Sequence, residues 1–359
     1  MKAEQVLVID GSQGEGGGQI LRSTIGLSAT TGKALQIENI RAGRRKPGLM
    51  RQHLTAIHAA GRICNAKITG AEPGSQRLAF EPQQVCSGNY EFSIGTAGSA
   101  TLVLQAILPA LITAVGDSEI VIEGGTHNQW APPFDFLKKV YLPRINQMGP
   151  RIEATLDRHG FFPAGGGRIV VHVEPSKVLA GFDLRKRGDV LTKTARILIS
   201  NLPLSIARRE ADTLIQKLQF HHDDVTIETV QADGPGNLVF AEIQCQYVTE
   251  LVTSFGRVGA SAERVADEVV KQVRSYLKSS APVGEYFADQ LLLPLGLSAA
   301  QSADCGVQRG GSFKTHFLSR HAMTHIDVIK ALLPVEIHLE DIEDGTVVSL
   351  LPRPAELTT

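Results

Sequence analysis

The four cysteines, at 64, 86, 245 and 305, stand too far apart to form a single CxxC pair. That absence argues against a zinc site and a disulfide framework, and it fits a reducing cytosol. An excess of charge is missing too, since the formal net charge is −1. No global positive field gathers nucleic acid, so any contact with RNA has to come from a local basic patch. Long hydrophobic runs are absent. The longest, Thr101–Val115, carries Gln105 and Pro109 and is too short and interrupted to span a bilayer. The opening MKAEQVLVIDGSQ has too brief an apolar run for a signal peptide. The expectation is a cytoplasmic protein with no membrane partner.

What is present is length and an ordinary globular composition. The 359 residues, 43% hydrophobic and 20% charged, are enough for a large core in more than one structural unit. An element order recurs. Residues 6–40 read as strand, glycine loop, helix (Ile20–Thr30), turn at Gly32 and strand (Leu35–Ile40). Residues 90–123 repeat it as strand, the loop GTAGSA, helix (Thr101–Thr113), turn at Gly116-Asp117 and strand (Glu119–Ile122). Each copy continues with a second helix, about 48–64 and 133–148, and two more strands. The order β-α-β-α-β-β predicts sheets covered by helices on one face. A third copy looks split. Its pieces are a helix at 261–279, the stretch VGEYFADQ and the segment from Phe313 to Leu351. Between Arg185 and about Gln244 the texture changes, with a strand (Thr194–Ile199), an amphipathic helix (Ile206–Phe220) and HHDD, as in a small inserted α/β module.

The glycine loop DGSQGEGGGQILR (10–22) fails both familiar phosphate motifs. Gly17 stands where the Walker A pattern needs Lys, and Gln19 stands where GxGxxG needs its third Gly. It still offers backbone N–H groups at a helix start, a general anion site. An acid there, Glu15, repels phosphate unless a divalent cation lies between them, so it is either a metal ligand or an exposed residue favoured by the helix dipole.

Further along, RAGRRKPGLMRQH (41–53) gathers Arg41, Arg44, Arg45, Lys46 and Arg51 in a loop held open by Gly and Pro. GGTHNQWAPPFDF (124–136) carries the single Trp, whose ring could flank a base or shape a turn. RHGFFPAGGG (158–167) reads as a structural joint needing close backbone approach. VGEYFADQ (283–290) places Tyr286, Asp289 and Gln290 at the mouth of an apolar helix. His321 and His325, four apart, share a helix face, but HExxH needs Glu where Ala322 stands. A neutral imidazole beside a phosphate site can instead take up a nucleotidyl group. Taken singly, each stretch also has a plain reading: a solvated loop, a capped helix, two surface histidines.

In order along the chain, these stretches, with GSQRL and GPGN between them, resemble the RNA 3′-terminal phosphate cyclase family over nearly the whole sequence. HGFFPAGGG looks like that family's signature. The resemblance implies an α+β fold: a large domain of three βαβαββ repeats with helices on one face of each sheet, plus a small inserted α/β domain. The repeat is similar to the C-terminal domain of a bacterial translation initiation factor and to the halves of enolpyruvyl transferases. It divides the chain into 1–184 with 280–359, and an insert at 185–279.

The implied partners are ATP as co-substrate, Mg²⁺ or Mn²⁺, and RNA 3′-phosphate ends, while monomer and homodimer both stay open. The implied reaction closes the 3′-phosphate into a 2′,3′-cyclic phosphodiester through a histidine–AMP intermediate. His321 matches the adenylylated histidine and Glu15 the metal ligand. Gln105, Tyr286, Phe287, Ala288, Asp289 and Gln290 match ATP contacts, with Tyr286 and Pro133 sandwiching adenine. Arg22, Arg41 and Arg44 are candidates for triphosphate or RNA 3′-phosphate contacts. One departure stands out. The family's H-x-x-T-N-I reads His-Ala-Met-Thr-His-Ile here, so His325 replaces Asn. The competing readings are a non-cyclising, cyclase-like RNA-binding protein of ribosome biogenesis, which would lack His321, and an enolpyruvyl transferase, which would need no ATP.

Overall fold

The computed structural model describes residues 6–301 and 307–353. Cys305 lies outside them. The other three cysteines are free thiols.

The first unit runs β1 (Leu7–Asp10), α1 (Gly18–Thr31), β2 (Leu35–Glu38), α2 (Arg51–Ile63), β3 (Lys67–Thr69) and β4 (Leu78–Glu81). Its sheet is ordered β1-β2-β4-β3, parallel only between β1 and β2. The second unit is β5 (Gly88–Ser93), α3 (Ala100–Leu111), β6 (Ser118–Gly124), a helical run, β7 (Arg151–Arg158) and β8 (Gly167–Glu174). The run is α4 (Phe134–Phe136), a π-helical stretch (Leu137–Tyr141) and α5 (Leu142–Asn146). This sheet, β5-β6-β8-β7, has the same order and the same single parallel pair. Along β8 buried and half-exposed residues alternate throughout, the period-2 pattern of a sheet covered on one face.

The third unit begins at β9 (Phe182–Leu184), which sequence periodicity missed because three residues carry no alternation. Then comes a fourth sheet: β10 (Val190–Ser200), α6 (Leu204–Leu218), β11 (Val225–Thr229), β12 (Gly236–Cys245), β13 (Thr249–Phe255) and α7 (Ala262–Lys278). Its order is β11-β10-β12-β13. Helix α7, first read among the pieces of the third copy, packs on α6 and β13 instead. The third unit resumes with α8 (Glu285–Ala300), β14 (Gly311–Thr315), α9 (Arg320–Leu332), β15 (Val335–Ile342) and β16 (Gly345–Pro352). Its sheet, β9-β14-β16-β15, is again parallel only between its first two strands. The chain is thus an α+β protein with one sheet topology built three times.

Boundaries differ where backbone geometry intervenes. Helix α2 begins at Arg51 and not at Gly48, because Gly48 sits at φ +77° and Met50 is extended. In RHGFFPAGGG the joint is as tight as expected: a side chain on Gly160 would strike the backbone of Gly167.

Candidate active site

Helix α1 starts at an extended Gly17 with no side-chain cap. Its first N–H groups therefore have no side-chain acceptor at the loop. The loop is pinned from two sides. A Cβ on Gly14, at φ +57°, would collide with Thr324 Oγ1, and one on Gly18 would lie 2.6 Å from His53 Nε2. The backbone N–H of Glu15 also points at Thr324 Oγ1, 3.3 Å away.

Glu15 is the meeting point. Its Oε1 accepts from Arg44 Nη2 at 2.9 Å, and the same nitrogen donates to the Glu15 carbonyl at 3.0 Å. Its Oε2 lies 2.6 Å from His321 Nε2 and is otherwise buried without a hydrogen-bond partner. His321 is the second residue of α9, whose start is capped by Ser319 Oγ accepting from Ala322 N at 3.0 Å. Its side chain is 48% exposed, open to a ligand. Glu285, at the start of α8, faces it from the other side. Burial raises the Glu285 carboxyl above its ordinary range, and the histidine works against that shift.

Behind this pair the polar groups are more deeply set. Arg22 Nη2 donates to Gln19 Oε1 at 2.8 Å, and burial lowers its guanidinium to about 10 against the pull of Asp289. His325, the residue that replaces Asn, is 3% exposed. Its Nδ1 is 3.1 Å from both the carbonyl and Oδ1 of Asp289, two acceptors that call for a proton on that nitrogen. It braces α9 against α8 and does not touch His321. Gln105 donates to Gln290 Oε1, and Gln290 Nε2 donates to Asp289 Oδ2 at 3.3 Å. A cavity of about 20 Å³ lies among Gln19, Arg22, Gln105, Gln290 and His325. A roomier gap of about 220 Å³ sits apart from this chemistry, between the second unit's helical run and the β12–β13 hairpin. Its cations are already engaged, Lys139 with Glu242 and Arg144 with the Tyr247 carbonyl.

The other expected residues divide. Tyr286 is two-thirds exposed at the mouth of α8, while Pro133 is buried as the cap of α4. Phe287 and Ala288 are core residues. Phe287 packs edge-on to Phe136 with ring centroids 5.9 Å apart, so these two side chains are not presented to the cleft. Arg41 spends Nη1 on the carbonyls of Lys46 and Gly48, at 2.8 and 2.7 Å, and so braces the basic loop. Arg44 alone of that loop reaches Glu15.

Sequence reasoning passed over His53. Its Nδ1 accepts the Met50 N–H at 3.1 Å, which leaves the ring proton on Nε2, aimed at Gly18. Burial, then the charges of Arg22 and Arg41, push this imidazole down to about 3. It is a neutral donor beside two cations. The available signal was its place at the end of the basic run.

These contacts close a circuit of helices. From α1, Gly18 meets His53 on α2. Gln52 Oε1 accepts from Ser99 N at the cap of α3, at 2.8 Å. Thr101 Oγ1 donates to the Pro132 carbonyl just before α4, at 2.7 Å. Phe136 meets Phe287 on α8, Asp289 meets His325 on α9, and His321 returns to Glu15. Each helix start carries partial positive charge. At the glycine loop that charge is offered by the uncapped start of α1.

The sequence profile of one protein family, described as RNA 3′-terminal phosphate cyclase, matches residues 13–339. A protein of that name from Koribacter versatilis is 48% identical over 353 residues, covering 98% of this chain and 97% of its own. Proteins of the same name from Pseudomonas fluorescens and Salmonella enteritidis are each 45% identical. They cover 95% and 96% of this chain, and 96% and 98% of their own.

Proposed function

Because the chain belongs to the RNA 3′-terminal phosphate cyclase family, we propose that it uses ATP to close an RNA 3′-phosphate into a 2′,3′-cyclic phosphodiester, with His321 as the nucleophile. The observation that carries the mechanism is the 2.6 Å approach of Glu15 Oε2 to His321 Nε2, which joins the glycine loop to the start of α9.

The chemistry follows from what each group can do. Once Nε2 is released from Glu15 and the ring proton sits on Nδ1, the Nε2 lone pair of His321 attacks the α-phosphorus of ATP, the bond to pyrophosphate breaks, and a histidine–AMP phosphoramidate forms. The unfilled N–H groups of α1, Arg44 and the neutral His53 N–H are the donors this reading gives to the phosphate oxygens. An oxygen of the RNA 3′-phosphate then attacks the same phosphorus and frees His321. The result is an RNA end carrying AMP through a pyrophosphate bond. The adjacent 2′-OH attacks the RNA phosphorus, AMP leaves, and the proton goes to solvent or to a nearby base. A phosphate dianion is a poor centre for displacement until AMP supplies a leaving group. The 2′-OH is already beside it, so ring closure has a high effective molarity.

The residues present fit a divalent cation. Arg44 holds one oxygen of Glu15, and the other is buried with His321 Nε2 beside it. One carboxylate oxygen, with phosphate oxygens and water, is a normal set for Mg²⁺ or Mn²⁺. Such an ion would supply charge neutralisation at the phosphates, and Glu15 Oε2 would hold it in place of its contact with His321. Among the described residues no cluster of three or more His, Cys, Asp or Glu offers a second cage.

The test is ATP labelled at its α-phosphate, incubated with the chain and Mg²⁺ or Mn²⁺ without RNA, then resolved on a denaturing gel. The expected result is a labelled protein band, acid-labile and alkali-stable. No band with either metal would overturn the assignment of His321.

A further inference from the structure

Two aromatic rings stand in solvent at the edge of this circuit. Trp130 is 87% exposed and Phe162 is 75% exposed. Their segments run side by side, since His127 and Phe161 form a parallel bridge. Trp130 follows at the tip of a turn closed by Ala131 N donating to the Asn128 carbonyl at 3.2 Å. Phe162 follows Phe161 directly, in a loop seated on Ala97, whose backbone a side chain on Gly165 would meet. The Asn128 amide donates to the Ala97 carbonyl at 2.8 Å.

Both rings are thus mounted around the Gly95–Ala97 loop, and that loop leads back to the site. Arg51, at the start of α2, is exposed and lies 3.5 Å from the Gly95 carbonyl. His53, two residues on, is the neutral donor beside the glycine loop. No apolar core needs these two rings, and large exposed apolar side chains next to a site mark a binding surface.

We infer that Trp130 and Phe162 form a stacking platform for the one or two nucleotides that precede the reacting 3′ end, with Arg51 meeting the phosphate between them and the site. The inference takes one thing from the proposed reaction, that the polymer entering the site is single-stranded RNA. Stacking on aromatic faces is indifferent to sequence, as an end-processing enzyme requires, and works without a long basic groove. The platform is also bounded. Asp233, of the β11–β12 connection, packs on Gly166 just beyond Phe162 and repels a phosphate track there. The footprint is accordingly short.

Trp130 is the only tryptophan in the chain, so its emission reports on this surface alone. The experiment titrates the full chain with an oligoribonucleotide of about eight residues ending in a 3′-phosphate, and separately with ATP. RNA is expected to quench the emission and ATP is not. In steady state, KM should fall between a dinucleotide and a tetranucleotide substrate and then level off. Trp130→Ala and Phe162→Leu should each raise KM for the longer substrate about tenfold and erase most of that length dependence. Trp130→Phe should restore it.

Quenching by ATP alone would assign Trp130 to the nucleotide pocket and overturn the platform. So would RNA that leaves the emission unchanged, or variants with the length dependence intact. A chain that shows quenching by RNA but no AMP labelling would keep the platform and overturn the reaction.

Discussion

Helices α2 and α9 are the same element of the repeat, the second helix of the first and third units, and each carries a histidine in its first turn. His53 is buried, its Nδ1 occupied by a backbone N–H, its proton fixed on Nε2. His321 is half exposed, with Nε2 on a carboxylate. One is locked as a donor by a backbone N–H of its own loop, and the other donates to a carboxylate that a ligand can reach and displace. The difference does not come from the helix, which is equivalent in both. It comes from the preceding loop. Residues 39–50 bring Arg41 and the Met50 N–H to His53, whereas residues 316–319 leave His321 open. The second unit's equivalent start carries no histidine, only Pro133 as its cap. Repetition brings the helix starts together, and packing assigns each its chemistry.

Removing the open histidine should have the largest effect. His321→Ala should lower AMP labelling by at least about a thousandfold while the far-ultraviolet circular dichroism stays native. Labelling that persists would place the nucleophile elsewhere, with His325 or His316 next to examine. Taking away its partner comes second. Glu15→Ala should slow adenylylation roughly a hundredfold and raise the divalent concentration needed for half-maximal rate. If the metal titration does not move, the carboxylate is not a ligand. Third, His53→Gln removes a ring donor aimed at the loop and should raise KM for ATP or the RNA end about tenfold. An equal loss in kcat alone would make His53 a participant in the chemical step.

The smallest effects are on stability, and their signs are opposed. The unfolded chain protonates His53 below its ordinary value near 6.5, but the folded chain does so only near 3. Its contribution is complete above about 6.5 and is lost as pH falls toward 3. Buried Glu250 behaves the other way. Its carboxyl accepts from the Gly284 N–H at 2.7 Å, at the start of α8, and burial raises it from 4.5 to about 7. Folding there takes up a proton, so the contribution is present below about 4.5 and is lost as pH rises through 7. Urea melts from pH 4 to 8 should show Glu250→Gln flattening the alkaline side and His53→Gln the acidic side. Identical slopes in both variants would mean that neither group carries the linkage.

The sequence made the repeat legible because strand and helix periods alternate in order, and glycine loops punctuate them. It drew attention to His321 and Glu15 because their motifs survive, with His325 as the one departure, and the fold brings the two side chains together. It hid what depends on burial or on partners far along the chain. Phe287 and Ala288 sit in a motif that reads as a ligand contact, yet their side chains face the core. Arg41 looks like a phosphate ligand until its Nη1 is seen on two carbonyls. His53 has no motif at all, because only the fold reveals that its neighbours are cations and that it stays neutral. The circuit of helix contacts is least visible, since every link in it is non-local.

The split third unit also dictates an order of events. Ser312 Oγ on β14 hydrogen-bonds Asp183 on β9, residues 129 positions apart. Everything between β10 and α7 closes on nearby sequence, so it can collapse early and shorten the loop that joins them. The third sheet then forms last, and with it α9. A chain still emerging from the ribosome has its glycine loop, its basic loop and its aromatic platform, but not His321. An unfinished copy lacks both the Thr324 hydroxyl that seats the glycine loop and the histidine proposed to take up AMP.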